Sequence, residues 1–155
     1  SEQLQESADG RLRIELLGAM PNERVLSLLK RGRFHAAILS CRIDEDGDRD
    51  GVPVSLLEAQ ASGIPVVTSA LPGFEFELGE GTGAVLVPLR EEGRRREPLH
   101  GELLAVISAL YRLPEYRSGL AKEARRRAQE RDSPEELGGR LLGMLGTLCS
   151  NMRSA

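Results

Sequence analysis

The run Ile64-Pro65-Val66-Val67-Thr68-Ser69 restricts this chain more than any other stretch, because it is rich in β-branched residues and does not alternate between apolar and polar. β-branched side chains favour an extended backbone, and a strand without alternation is covered on both faces, as strands of a parallel sheet are. Parallel neighbours need crossover connections, usually helical. The sequence supplies one directly upstream, where Leu56, Leu57, Ala59, Gln60 and Ala61 are good helix formers that stop at Ser62-Gly63.

The same alternation of strand and helix patterns extends in both directions. AAILS at 36 to 40 and AVLVP at 84 to 88 are again continuous apolar runs, expected as strands covered on both faces. RLRIELL at 11 to 17 alternates around Leu12, Ile14 and Leu16 and ends at Gly18. A short helix is expected after it, starting at Pro21-Asn22, carrying Val25, Leu28 and Leu29 on one stripe, and closing at Gly32. The fold class is therefore α/β, a Rossmann-like parallel sheet with flanking helices. Residues 90 to 101 are charged and contain Pro98 and two glycines, which reads as an exposed connection. Three helical patterns follow, around Leu103, Leu104, Ile107 and Leu110; around Leu120, Ala121, Ala124 and Ala128; and around Leu137, Leu141, Leu145 and Leu148.

With 155 residues, 40% hydrophobic and 29% charged, the chain suffices for one globular domain with a core. It contains no apolar run near the ~18 residues that span a bilayer and no signal-peptide pattern, so a cytoplasmic protein is expected. Cys41 and Cys149 lie too far apart in sequence to suggest a disulfide framework or a metal cluster; buried thiols are expected. A net charge of −3 and 3% aromatic residues argue against nucleic acid as a partner. The Arg94 to Arg96 and Arg125 to Arg127 triplets read as solvated faces, and His35 and His100 as isolated histidines. GEGTG at 79 to 83 precedes a strand, not a helix, and reads as a turn.

Carboxylates at Asp44, Asp46, Asp48 and Asp50, followed by Gly51, invite a calcium-loop reading. That loop needs a bidentate Glu in its twelfth place, which with Asp46 first is Leu57, one residue before Glu58. On a helix one residue turns a side chain by ~100°, so the slip is not absorbed cheaply and no metal is expected. A different ligand suits the stretch better. In open α/β sheets ligands collect at the carboxyl ends of strands, where a following helix presents unpaired N–H groups to an anion. Carboxylates there accept strong hydrogen bonds from sugar hydroxyls. A nucleotide sugar, with a diphosphate between two polyols, satisfies both.

The stretch DGVPVSLLEAQASGIPVVTS also resembles the signature of the family 4 (group 1) retaining glycosyltransferases: an acidic residue, a spacer, Glu, a helix of small residues, and Gly-x-Pro-Val-Val. The likeness continues through Pro72, Gly73 and Glu77 into GTGAVLVP at 81 to 88, and upstream into IELLGAMPNERVLSLL, covering roughly residues 12 to 112. It implies the donor-binding half of a two-domain GT-B enzyme, with residues 1–112 as part of that domain and 113–155 as a helical segment packed on it. By resemblance Glu58 binds the donor's ribose hydroxyls, and Asp50 stands where the family usually has a Glu contacting the transferred sugar. The backbone of Gly51, Val52, Pro53, Val54 and Ser55 corresponds to the turn that approaches sugar and diphosphate. Either Glu75 or Glu77 matches a further family Glu. Transfer would retain configuration, without a metal cofactor.

The family's phosphate-clamping Arg and Lys and its acceptor-binding N-terminal domain have no counterpart here. The chain is thus expected to be a fragment unable to catalyse transfer alone, with no catalytic residue assigned and with that N-terminal domain as its partner. The resemblance also leaves a missing strand beside 36 to 40, so the sheet is expected to bridge a gap or expose an edge. Peripheral contact of the full enzyme with a membrane is left open. The competing expectation is a non-catalytic nucleotide-sugar-binding or interaction module of the same fold.

Overall fold

The computed structural model describes residues 3–6, 13–49, 51–92 and 95–131, and the chain divides into two compact units, Ser1–Arg33 and Phe34–Ala155. In the first unit β1 (Gln3–Glu6) and β2 (Arg13–Leu16) pair antiparallel, with Gln3 opposite Leu16 and Glu6 opposite Arg13. The described part of the alternating run, Arg13–Leu16, is thus one strand of an antiparallel ribbon in which Leu16 is 47% exposed. Helix α1 (Asn22–Lys30) follows as expected, entered through Pro21, whose carbonyl accepts the Arg24 N–H at 3.0 Å. Glu23 in its first turn and Lys30 in its last both complement the helix dipole. Gly32 ends it with a positive φ of 65°.

The second unit is built on a parallel sheet of β3 (Ala37–Leu39), β4 (Val66–Ser69) and β5 (Ala84–Val87), in the order β3-β4-β5. Helix α2 (Val54–Ala61) connects the first two strands and α3 (Phe74–Leu78) the next two. A hairpin, β6 (Leu89–Glu92) and β7 (Arg95–Pro98), leads into α4 (His100–Arg112) and α5 (Pro114–Arg131). This is the α/β architecture expected, with every residue of β4 buried. Val67 and Val87 lie on one face and pack with Leu110, against Leu103, Val106 and Leu120 of the two long helices. Burying each such side chain contributes roughly 1.5–3 kcal/mol.

Strand β3 departs from its expected burial. Ile38 is 46% and Leu39 37% exposed, because among the described residues β3 pairs only with β4 and forms the sheet's edge. Of the two expected outcomes, bridging a gap or exposing an edge, the described sheet has the second. Within the stretch 90 to 101, expected as an exposed connection, the described residues form a hairpin in which opposite signs meet, Arg90 opposite Glu97 and Glu91 opposite Arg96, with an Arg96–Glu91 ion pair at 3.0 Å.

At the amino ends of the strands α5 comes very close. Gly83, with φ 77°, lies so near α5 that an added Cβ would collide with the backbone of Leu120 and Ala124, and at Gly63 it would strike the Arg125 side chain. The second arginine triplet is thus not merely a solvated face. Arg126 donates to the Gly81 carbonyl at 2.8 Å, and Arg127 donates to the Phe76 carbonyl at 3.2 Å and faces Glu77 at 3.6 Å. The GEGTG segment is a turn, as expected, closed by the Thr82 hydroxyl donating to the Gly79 carbonyl at 2.6 Å. Among the described residues no helix is long and apolar enough to cross a membrane. The third helical pattern, at 137 to 148, and Cys149 fall outside the described residues.

Candidate functional site

The carboxyl end of the sheet is organised around Ser69, the last residue of β4. Its hydroxyl, 1% exposed, accepts the Cys41 N–H at 2.8 Å and donates to the Cys41 carbonyl at 2.5 Å. One residue earlier on the same strand the Thr68 hydroxyl donates to the Leu39 carbonyl at 2.7 Å. Two hydroxyls thus satisfy backbone groups that the ladder no longer pairs, and fix where the chain leaves β3. The Cys41 thiol is buried beside them, 5% exposed, as expected of a packing cysteine.

Beyond Cys41 the alternating aspartates make a tight turn. The Asp44 carbonyl accepts the Gly47 N–H and its N–H donates to the Asp48 carbonyl, both at 3.0 Å. Asp46 accepts the Asp48 N–H at 3.0 Å through its carboxylate, and Asp48 accepts the Arg49 N–H at 2.9 Å. These are the local bonds for which Asp is favoured in turns. Asp44 is also held by Arg42 at 3.0 Å. Among the described residues no group of three or more His, Cys, Asp or Glu side chains is placed to hold a metal ion.

The hairpin completes the arrangement. It leaves the sheet at the end of β5, where the Leu99 N–H donates to the Pro88 carbonyl at 3.0 Å, and reaches the loop after β3 through a two-way bridge between Ile43 and Arg96. Between loop and hairpin lies a cleft of about 460 Å³. Ser40, Arg42, Asp44, Asp48 and Arg49 form one wall; Glu97, Pro98 and His100 form the other.

The residues expected to bind a ligand follow this loop directly. Asp50 lies outside the described residues. Gly51 is exposed, with nothing within 4 Å of a Cβ built on it, so the turn leaves room for an approaching group. Val52 and Pro53 are half-buried, and Pro53 is the N-cap of α2 with an extended φ of −66° and ψ of 132°. Among the described residues no side chain caps that helix; the Leu56 N–H donates to the Pro53 carbonyl at 3.0 Å, while the Val54 and Ser55 amides have no acceptor within the helix. Val54 is 67% exposed, Ser55 is exposed and Glu58 is half-buried. Helical periodicity puts Val54, Ser55 and Glu58 on one side of α2, away from Leu56, Ala59 and Gln60, which are buried. Glu58 therefore sits in the second turn and not at the helix start. None of the described candidates lines the cleft, which begins one residue upstream of Asp50.

Sequence reasoning missed Ser69, Arg42, Arg49 and the hairpin residues Arg96 and Glu97, and left His100 isolated. A hydroxyl at the end of a buried apolar strand was the available signal for Ser69. Glu75 and Glu77 separate cleanly: Glu75 is exposed and accepts the Gly73 N–H at 2.9 Å, whereas Glu77 is half-buried and turned toward Arg127 of α5.

No solved structure matches this chain. It is similar to the putative colanic acid biosynthesis glycosyltransferase WcaL of Salmonella typhimurium, with 36% identity over 75 residues, which are 48% of this chain and 18% of that protein. It is also similar to the amylovoran biosynthesis glycosyltransferase AmsK of Erwinia amylovora, 34% identical over 83 residues, or 52% of this chain and 20% of that one. The matched region thus spans about a fifth of the length of each relative. Residues 1–94 match the family model described as glycosyl transferases group 1, more than half of the 155 residues, and the chain belongs to that family.

Proposed function

We propose that this chain forms the nucleotide-sugar donor side of a retaining, metal-independent glycosyltransferase. The observation that carries this reading is the geometry after β3: an open turn at Gly51, an α2 start with no side-chain cap, and Glu58 one turn along on the exposed side. The donor's diphosphate lies against the first amides of α2, where the dipole and unpaired N–H groups favour it. Glu58 accepts hydrogen bonds from the ribose hydroxyls, and Asp50 from the sugar. Val52 and Pro53 set the turn's path, and Val54 and Ser55 supply the first helical amides. The names of the two relatives carry only glycosyl transfer to this chain, since each is matched over about a fifth of its length. Transfer itself requires an acceptor-binding domain, so the isolated chain binds donor without turning it over.

Calorimetry with uridine and guanosine diphosphates tests the site. At least one is expected to bind, and Glu58→Ala to weaken it by about tenfold, the loss of a charge-assisted hydrogen bond. Absence of binding for both, or affinity indifferent to the substitution, would remove the assignment. Transfer from a nucleotide sugar by this chain alone would contradict its dependence on a second domain.

A further inference from the structure

We propose that the open edge of β5 accepts an extended peptide segment of a partner protein as an added strand, one with alternating apolar side chains and a Lys or Arg beside them. No residue of the Gly51 turn or of α2 takes part, so the edge stands independent of the donor reading.

The strand pairing leaves this edge unfilled. Among the described residues β5 pairs only with β4, and its Ala84, Val85 and Leu86 are half-buried where every residue of β4 is buried. The Gly83 carbonyl accepts the Val66 N–H at 3.1 Å and the Val87 carbonyl accepts the Ala70 N–H at 2.8 Å, so the backbone at 83, 85 and 87 faces β4. In a parallel ladder the intervening residues turn both of their groups the other way. Ala84 and Leu86 therefore each present an N–H and a carbonyl to the open side, and among the described residues nothing bonds to them. Such a row of unpaired groups is a template for strand addition.

A groove of about 450 Å³ runs along the same edge. The consecutive residues Ala84, Val85 and Leu86 line it, whereas a pocket on a sheet face would take alternate ones. Its walls are the turn from Leu78 to Gly81 and the start of α5, where Tyr116 and Leu120 stand. The lining sets the chemistry of the partner. Leu78, Leu86 and Leu120 receive apolar side chains, while Glu80 and Glu123 line the groove with carboxylates that make no ion pair or hydrogen bond among the described residues. No described lining residue is basic, and Arg126, which donates to the Gly81 carbonyl at 2.8 Å, is already paired with Glu130 at 2.6 Å. A basic side chain entering the groove thus meets both carboxylates and the Tyr116 ring, which is 41% exposed; an acidic one is repelled. Main-chain bonds to Ala84 and Leu86 supply affinity, and the groove selects the side chains.

Heteronuclear NMR of the 155-residue chain tests this with the blocked peptide acetyl-Lys-Val-Thr-Val-Thr-Arg-amide at millimolar concentration. Shift changes are expected at Gly81, Ala84, Leu86 and Leu120, and the same peptide with Glu in place of Lys and Arg should bind about tenfold more weakly. Glu123→Gln should weaken the basic peptide several-fold with unchanged thermal unfolding. N-methylation of alternate peptide amides distinguishes an added strand from a side-chain contact. Only every second N–H faces β5, so one methylated pattern should lose binding and the other keep it. Absence of shifts at β5 overturns the proposal, as does equal binding of the acidic peptide or indifference to both methylation patterns. A dimer that perturbs the same β5 resonances without peptide also overturns it, by giving the edge to a second copy of the chain. The nucleotide titration reads other residues, so failure of either assignment leaves the other standing.

Discussion

The two ends of the parallel sheet solve opposite problems with the same strands. At the amino ends, the chain enters β4 and β5 through Gly63 and Gly83, and α5 presses on both so closely that neither position has room for a Cβ. At the carboxyl ends, side-chain hydroxyls and a hairpin bridge hold the backbone apart around a polar cleft, and Gly51 stands in open space. One end is sealed by backbone approach and apolar packing, the other propped open by directional hydrogen bonds. Close packing resists change in volume, whereas a hydrogen-bonded frame resists change in chemistry. Glycines at the two ends should accordingly differ in what their substitution damages.

Gly83→Ala attacks the sealed end and carries the largest expected effect. Alanine is strained at φ 77° and its Cβ meets the Leu120 and Ala124 backbone, so α5 must move away from the sheet. A loss of about 2–4 kcal/mol is expected in urea unfolding, comparable to other overpacked or left-handed sites. A loss below about 0.5 kcal/mol would show that α5 is not held where its contact with Gly83 places it.

Ser69→Ala attacks the frame of the open end. The buried Cys41 N–H and carbonyl both lose their partner, which costs about 1–3 kcal/mol. Because the same bond pair sets the start of the loop that leads to Gly51, nucleotide affinity should fall together with stability. Ser69→Thr, which keeps the hydroxyl, should recover both in part. If alanine costs nothing, the loop is placed by something other than the hydroxyl.

How far these features were readable in the sequence follows from the range of the forces that make them. β4 and α2 were legible because β-branched runs and small-residue helices carry their preference locally, and the helix stop at Ser62-Gly63 is chemistry of two adjacent residues. β2 was recognised as a strand, but its antiparallel partner β1 was not, since Gln3–Glu6 carries no apolar run. β3 had the apolar run of a covered strand, yet a run records composition and not the number of neighbours, so its edge position was invisible. The hairpin hid behind its charges. Only register reveals that Arg90 meets Glu97 and Glu91 meets Arg96, and register belongs to the pair of strands, not to either one. At the candidate site the resemblance singled out Glu58 and the turn from Gly51, but the cleft is made by residues about a third of the chain apart, 40–49 and 97–100. No spacing rule joins them.

Gly51→Ala is the smallest perturbation to the fold and the sharpest test of the contrast. Nothing lies within 4 Å of the added Cβ and the φ of Gly51 is not positive, so stability should change by less than about 0.5 kcal/mol. A group lying against the turn is another matter, because the methyl would occupy the space through which a diphosphate approaches the α2 amides. Nucleotide affinity should therefore fall several-fold in calorimetry while the unfolding midpoint stays where it was. Loss of stability on the scale of Gly83→Ala would mean that the turn is packed and not open, and the distinction between the two ends would dissolve. Unchanged affinity would place the diphosphate away from Gly51 while leaving the sealed end as described.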